Sequence, residues 1–179
     1  MSKPLENKLA LITGSSRGIG AAIATRLAAE GAYVIVNYAA SSARAEALVS
    51  EITKAGGQAE AVQADLRRAE GIKTLIASID KAFSGKFGGR LDILVNNAGT
   101  VEFGPFLESS EDSYDKHFNL NVRPLIALSK DAARRMTKRR LGTYHQHWFL
   151  PGRGGAPPWS DDVRRYQVCG ARVHASSVP

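Results

Sequence analysis

Apolar positions fall into a repeating order along the first 142 residues. Leu9-Ala10-Leu11-Ile12 is a short apolar run between Lys8 and Thr13, closed by Gly14, which reads as a buried strand. Gly18 to Glu30 carries Ile19, Ile23 and Leu27 at helical spacing and stops at Gly31. Tyr33-Val34-Ile35-Val36-Asn37 is β-branched and predicts a second strand. Ser41-Ser42 opens a helix to about Lys54, ended by Gly56-Gly57, and Gln58 to Gln63 forms a third strand leading to Asp65. Arg68 to Phe83 is a third helix and Leu91 to Val95 a fourth strand. Ser110 to about Arg140 is a long helix, bent near Pro124, whose ring removes a backbone donor. Alternating helices and strands that are apolar throughout predict an α/β fold, a doubly wound parallel sheet covered on both faces. Right-handed crossovers give the order 3-2-1-4, with ligand bound beyond the carboxyl ends of strands 1 and 4.

The pattern breaks near Gly142. Beyond it there is no Ile, Lys, Glu or Asn, and Leu occurs only at Leu150. Trp148, Trp159 and Cys169 all fall there, with three of the four histidines and four of the seven prolines. So abrupt a change of composition divides the chain into an ordered part, 1–142, and an atypical, irregular tail, 143–179. Gly154-Gly155 and Pro157-Pro158 oppose a regular strand there, which would leave strand 4 an exposed edge.

Bulk properties alter this picture little. The 179 residues suit one domain with a real core, and 44% hydrophobic content is ordinary for a soluble protein. No run approaches the ~20 apolar residues of a membrane span, and no signal peptide is recognisable at the amino terminus. A single cysteine fits a reducing cytoplasm. The net charge of +7 comes from scattered basic residues without an aromatic platform, so nucleic acid is not an expected partner. No metal site is expected.

Candidate chemistry gathers at the carboxyl ends of the strands. In Thr13-Gly14-Ser15-Ser16-Arg17-Gly18-Ile19-Gly20, Gly14 permits the tight turn, Gly18 lets the backbone approach a pyrophosphate, and Gly20 lets helix and strand pack closely. Ser16, Arg17 and Ile19 complete this cradle, and the helix amino terminus supplies N–H groups for phosphate. The second strand ends at Asn37-Tyr38, where an NAD site would carry a carboxylate for the ribose. With Arg17 placed to meet a 2′-phosphate, NADP(H) is favoured over NAD(H); otherwise Arg17 is a solvated loop residue. Asp65 and Leu66 are candidate adenine contacts, and Asn97, Ala98 and Gly99 suit close packing beside a cofactor, although Asn, Asp and Gly are also common in turns.

Taken with Asn96 and Asn121-Val122-Arg123, these motifs resemble the short-chain dehydrogenase/reductase family over about residues 5–142, most like its 3-oxoacyl-acyl-carrier-protein reductases. The resemblance implies a Rossmann-like fold and hydride transfer between nicotinamide and a small-molecule carbonyl or alcohol. It implies Asn121 as the asparagine that supports a proton-relay water, and a tendency to form homo-oligomers. It also implies a serine, a tyrosine thirteen residues later and a lysine four beyond that, whose charge lowers the tyrosine pKa. No tyrosine here has lysine at that spacing: Tyr144 is followed by Trp148 and Tyr166 by Gly170.

The genetic code offers a reason. Read one base later, the codons from Thr143 to Leu150 allow Arg-Ile-Ile-Asn-Ile-Gly-Ser-Ser, the strand that family members carry at this point. In that frame the Val163 codon can give tyrosine and the Gln167 codon must give lysine or arginine, at spacings of 13 from position 150 and 4 from position 163. A frame change at about codons 141–143 is therefore expected, with catalysis absent from the chain as written. Two other readings stay open, a dinucleotide-binding module without chemistry and a nonfunctional frame-shifted product.

Overall fold

The computed structural model describes residues 3–137 and, as backbone, 143–146. Five parallel strands form one sheet in the order β3-β2-β1-β4-β5: β1 is Leu9–Ile12, β2 Tyr33–Tyr38, β3 Gln58–Gln63, β4 Ile93–Asn96 and β5 Thr143–Gln146. The expected order 3-2-1-4 is present, with helices α1 (Gly18–Ala29), α2 (Ser42–Lys54) and α3 (Ala69–Lys81) in the crossovers. Alternation along the strands makes the sheet two-sided. Leu9, Leu11, Ile35 and Leu94 meet Ile72, Leu75 and Ile79 of α3 on one face. Ala10, Ile12, Val34, Val36, Ile93 and Val95 meet Ala24, Ala28, Leu48 and Ile52 of α1 and α2 on the other. Because each β1 side chain is fully buried, the strand reads as an unbroken apolar run.

The ends of two helices have local causes. After α2, Gly56 adopts φ +78°, and the N–H groups of Gly56 and Gly57 donate to the carbonyls of Thr53 and Ile52, a Schellman motif. The α3 helix stops two residues before the expected Phe83, since Phe83 and Ser84 both have positive φ. There Phe83 and Phe87 each pack edge-on against Tyr33, with centroids 4.9 Å away.

The long helix is divided. It comprises α4 (Glu111–His117), a turn of π-helix at Phe118–Val122, and α5 (Arg123–Thr137). Ser110 caps α4, its Oγ accepting the Ser113 N–H at 3.2 Å. The disturbance lies in the turn before Pro124, where a missing donor loosens the hydrogen-bond ladder. Asn121 sits in that turn, and the expected extension to Arg140 falls outside the described residues.

One expectation is overturned: β4 is not an exposed edge. β5 pairs with it in parallel from Ile93↔Thr143 to Asn96↔Gln146. A parallel ladder is built from backbone groups, and Thr and Tyr are good strand residues, so poor aliphatic content does not prevent these four residues from joining. The irregularity expected further along the tail lies outside the described residues.

Candidate functional site

All the expected site residues collect at the carboxyl edge of the sheet. The turn from Gly14 to Arg17 links β1 to α1. Gly14 has φ +60°, and a Cβ there would lie 2.9 Å from the Ala98 Cα, so this turn and the segment after β4 are in contact. Gly18 has φ +59°, and no atom lies within 4 Å of where its Cβ would stand. Gly20 is closed in: its Cβ would meet Asn97 Nδ2 at 2.5 Å, Ser15 Cα at 2.8 Å and Gly14 O at 2.9 Å. Gly14 and Gly20 are thus closely packed, while Gly18 faces open space. Ser16 is half-buried, while Arg17 and Ile19 are exposed beside Gly18. No side chain caps α1, whose first residues follow an extended Arg17.

Two asparagines hold the turn from behind. Asn97 donates from Nδ2 to the carbonyls of Thr13 (2.9 Å) and Gly14 (3.1 Å). Asn37, expected among the cofactor contacts, is only 1% exposed and points inward. Its Oδ1 accepts the Gly14 N–H at 3.2 Å, while its Nδ2 donates to Ala64 O at 3.2 Å and Val62 O at 3.4 Å. Its backbone carbonyl also accepts the Ser15 N–H at 2.9 Å. The side chain therefore supports the turn instead of touching a ligand, and half-buried Tyr38 is the next residue on β2. Asn37→Ala leaves the Gly14 N–H and the Ala64 carbonyl without this partner, a cost of about 1–3 kcal/mol for each group. The expected outcome is a clearly lowered urea midpoint; an unchanged midpoint would show that water replaces the amide.

Thr13 escaped singling out in the sequence, although its place before the turn glycine was a signal. Its hydroxyl accepts the N–H groups of both Asn97 and Ala98 at 2.9 Å. His117 gave no sequence signal at all. Its Nε2 accepts the Glu102 N–H at 3.1 Å and its Nδ1 lies 2.7 Å from Ser113 O, which requires the proton on Nδ1.

Leu66 also departs from expectation. Its side chain is 3% exposed and belongs to the core, so only its backbone remains for an adenine. Asp65 is half-buried, and the Arg67 guanidinium holds its carboxyl below the usual carboxylate range. Asn121 reaches Thr100 twice: Oδ1 accepts the Thr100 N–H at 2.8 Å and Nδ2 donates to Thr100 O at 2.9 Å. It stands over Gly99, whose Cβ would come within 3.4 Å of Asn121 Oδ1. The turn, the segment after β4 and the π-helical turn thus form one connected edge. Among the described residues no cluster is arranged to hold a metal ion, and no helix is long and apolar enough to cross a membrane.

Comparison with known proteins agrees with this geometry. Residues 8–143 match the short chain dehydrogenase family. An uncharacterised oxidoreductase of Methylorubrum extorquens is 46% identical over 136 residues, covering 76% of this chain and 52% of its own. A short-chain dehydrogenase from Burkholderia cenocepacia, solved in complex with NADP, is 45% identical with a TM-score of 0.67, covering 73% of this chain and 51% of that one. A metagenomic short-chain oxidoreductase, also solved with NADP, is 32% identical with a TM-score of 0.75, covering 85% of this chain and 66% of that one. The chain spans about half the length of the curated relatives it matches. Strand order, glycine turn and these similarities together establish that the chain belongs to the short-chain dehydrogenase/reductase family.

Proposed function

We propose that this gene encodes an NADP(H)-dependent oxidoreductase that moves hydride between nicotinamide and a ketone or alcohol carbon, and that residues 1–142 are its cofactor half. One observation carries the cofactor reading: open space at Gly18 beside exposed Arg17, with no carboxylate ending β2. Ribose recognition by an acidic side chain is not available there, whereas a guanidinium suits a 2′-phosphate. Two related structures were solved with NADP, which supports the same choice. When bound, the cofactor supplies the hydride; Gly18 and the α1 amino terminus hold its pyrophosphate, Arg17 its 2′-phosphate, and Asn97 keeps the turn rigid. A 3-oxoacyl thioester is the ketone we favour. A reducing cytoplasm fits the single cysteine.

Titration followed by NADPH fluorescence tests the cofactor reading. Arg17→Gln weakens NADPH by roughly tenfold to a hundredfold, the loss of a charge-assisted pair, and leaves NADH unchanged. Equal effects on the two cofactors would remove Arg17 from 2′-phosphate recognition.

For catalysis we infer that the serine, tyrosine and lysine lie in the reading frame one base later, at positions 150, 163 and 167. Three observations support this. The composition changes after Gly142, the family match stops at residue 143, and the shifted codons permit both the strand and the spacing. In the frame as written, no tyrosine is followed by a lysine four residues on to act with Asn121. A second reading is a folded nucleotide-binding module without chemistry. The pairing of β5 favours it over a product that does not fold, because β4 gains a neighbour.

A further inference from the structure

We propose that His117 is a proton-operated latch on the segment that follows Thr100: neutral, its ring holds the Glu102 backbone; protonated, it releases that backbone and turns to the Glu102 carboxylate. The inference goes beyond the oxidoreductase reading and does not depend on nucleotide binding.

Both ring nitrogens are engaged, in opposite senses. Nδ1 lies 2.7 Å from Ser113 O, one helical turn back in α4, and a carbonyl can only accept, so Nδ1 carries the proton. Nε2 accepts the Glu102 N–H at 3.1 Å. That pairing exists only for the neutral ring in this tautomer. A second proton can go only to Nε2, where it sets two donors face to face and ends the bond. An imidazole is the side chain that makes this change between about pH 5 and pH 8.

The surrounding charges give the protonated ring a partner. Among the described residues they are Glu102 from the segment and Asp112 and Lys116 from α4. Lys116 Nζ stands 3.5 Å from Glu102 Oε1 and 2.7 Å from Asp112 Oδ2, so two carboxylates share one ammonium and leave a negative charge over. The Glu102 carboxyl is held below the usual range, first by a hydrogen bond from Ser113 and then by the charges of Lys116 and His117, so it is ionised where the ring takes its proton. An imidazolium therefore neutralises the cluster at the moment it loses the backbone bond.

Little else fastens the segment. Among the described residues, the bonds from 101–108 to α4 all meet at Glu102. Val101, Phe103 and Leu107 are exposed, Leu107 to 95%, so burial of these side chains does not hold the stretch in place. Its near end is fixed, because Asn121 bonds both the N–H and the carbonyl of Thr100. The latch lies two residues beyond that corner and sets how freely the chain beside Asn121 moves.

NMR of the isotope-labelled full chain tests this, with amide exchange at Glu102 compared at about pH 5 and about pH 8, each referred to the rate of an unprotected chain at that pH. Protection at Glu102 should fall roughly fivefold to tenfold at the lower pH, the loss of one hydrogen bond, while the Thr100 N–H held by Asn121 keeps its protection. His117→Gln offers an amide oxygen that does not titrate, so the difference between the two pH values should vanish. His117→Phe offers no acceptor and should leave Glu102 unprotected at both; it serves if the glutamine variant fails to fold. Equal protection of Glu102 at the two pH values in the unaltered chain overturns the latch, as does a pH-dependent fall that persists in either folded variant.

Discussion

Gly20→Val should leave no folded nucleotide turn. The new Cβ would come within 2.9 Å of three atoms, two of them backbone. The third, Asn97 Nδ2, is already bonded to the Thr13 and Gly14 carbonyls and cannot swing aside without leaving both unpaired. Overpacking of this kind costs about 3 kcal/mol or more, and total stability is only about 5–15 kcal/mol. The expected result by far-UV circular dichroism is a shallow or absent urea transition, together with loss of NADPH binding. Gly18→Ala is the paired control. Its methyl meets open space, so its cost is the left-handed backbone alone, about 1–2 kcal/mol, and a cooperative transition should survive while nucleotide binding falls. A Gly20→Val protein as stable as the parent would mean that α1 does not approach Asn97 and the Gly14–Ser15 turn so closely.

The contrast between those glycines shows what could be read in advance. Spacing within a strand-turn-helix unit suggests different duties for them, and the structure gives them different surroundings, Gly20 enclosed and Gly18 open. The strand order was legible because strands buried on both faces are apolar at every position, as in β1. Asn37 was harder. Whether a residue near the end of a strand points toward a ligand or into the sheet depends on register with its neighbours, and β2 turns that amide inward. Leu66 failed for a similar reason, since backbone position at the sheet edge says little about where a side chain packs. The π-helical turn was hidden because a proline announces a disturbance but not its form. β5 was missed because side-chain composition argued against a strand whose pairing depends on the backbone.

That last point bears on the missing chemistry. A tyrosine titrating near ~10 needs an adjacent cation to work near neutrality, and no lysine follows Lys138 in the chain as written. On the proposed reading, the cofactor half is sound while the proton-transfer residues are encoded in the other frame. General acid-base catalysis alone contributes about 10²–10⁴-fold, so restoring tyrosine, lysine and serine together should produce the largest change of any alteration described here.

The decisive measurement is ketone reduction under saturating NADPH by two purified proteins, the chain as written and the product of the same gene with one base removed between codons 141 and 143. The expected result is turnover at background for the first and readily measured turnover for the second. Comparable reduction by the chain as written, or an inert protein that folds and binds NADPH from the corrected gene, would contradict the division between a preserved cofactor half and a catalytic half held in another frame.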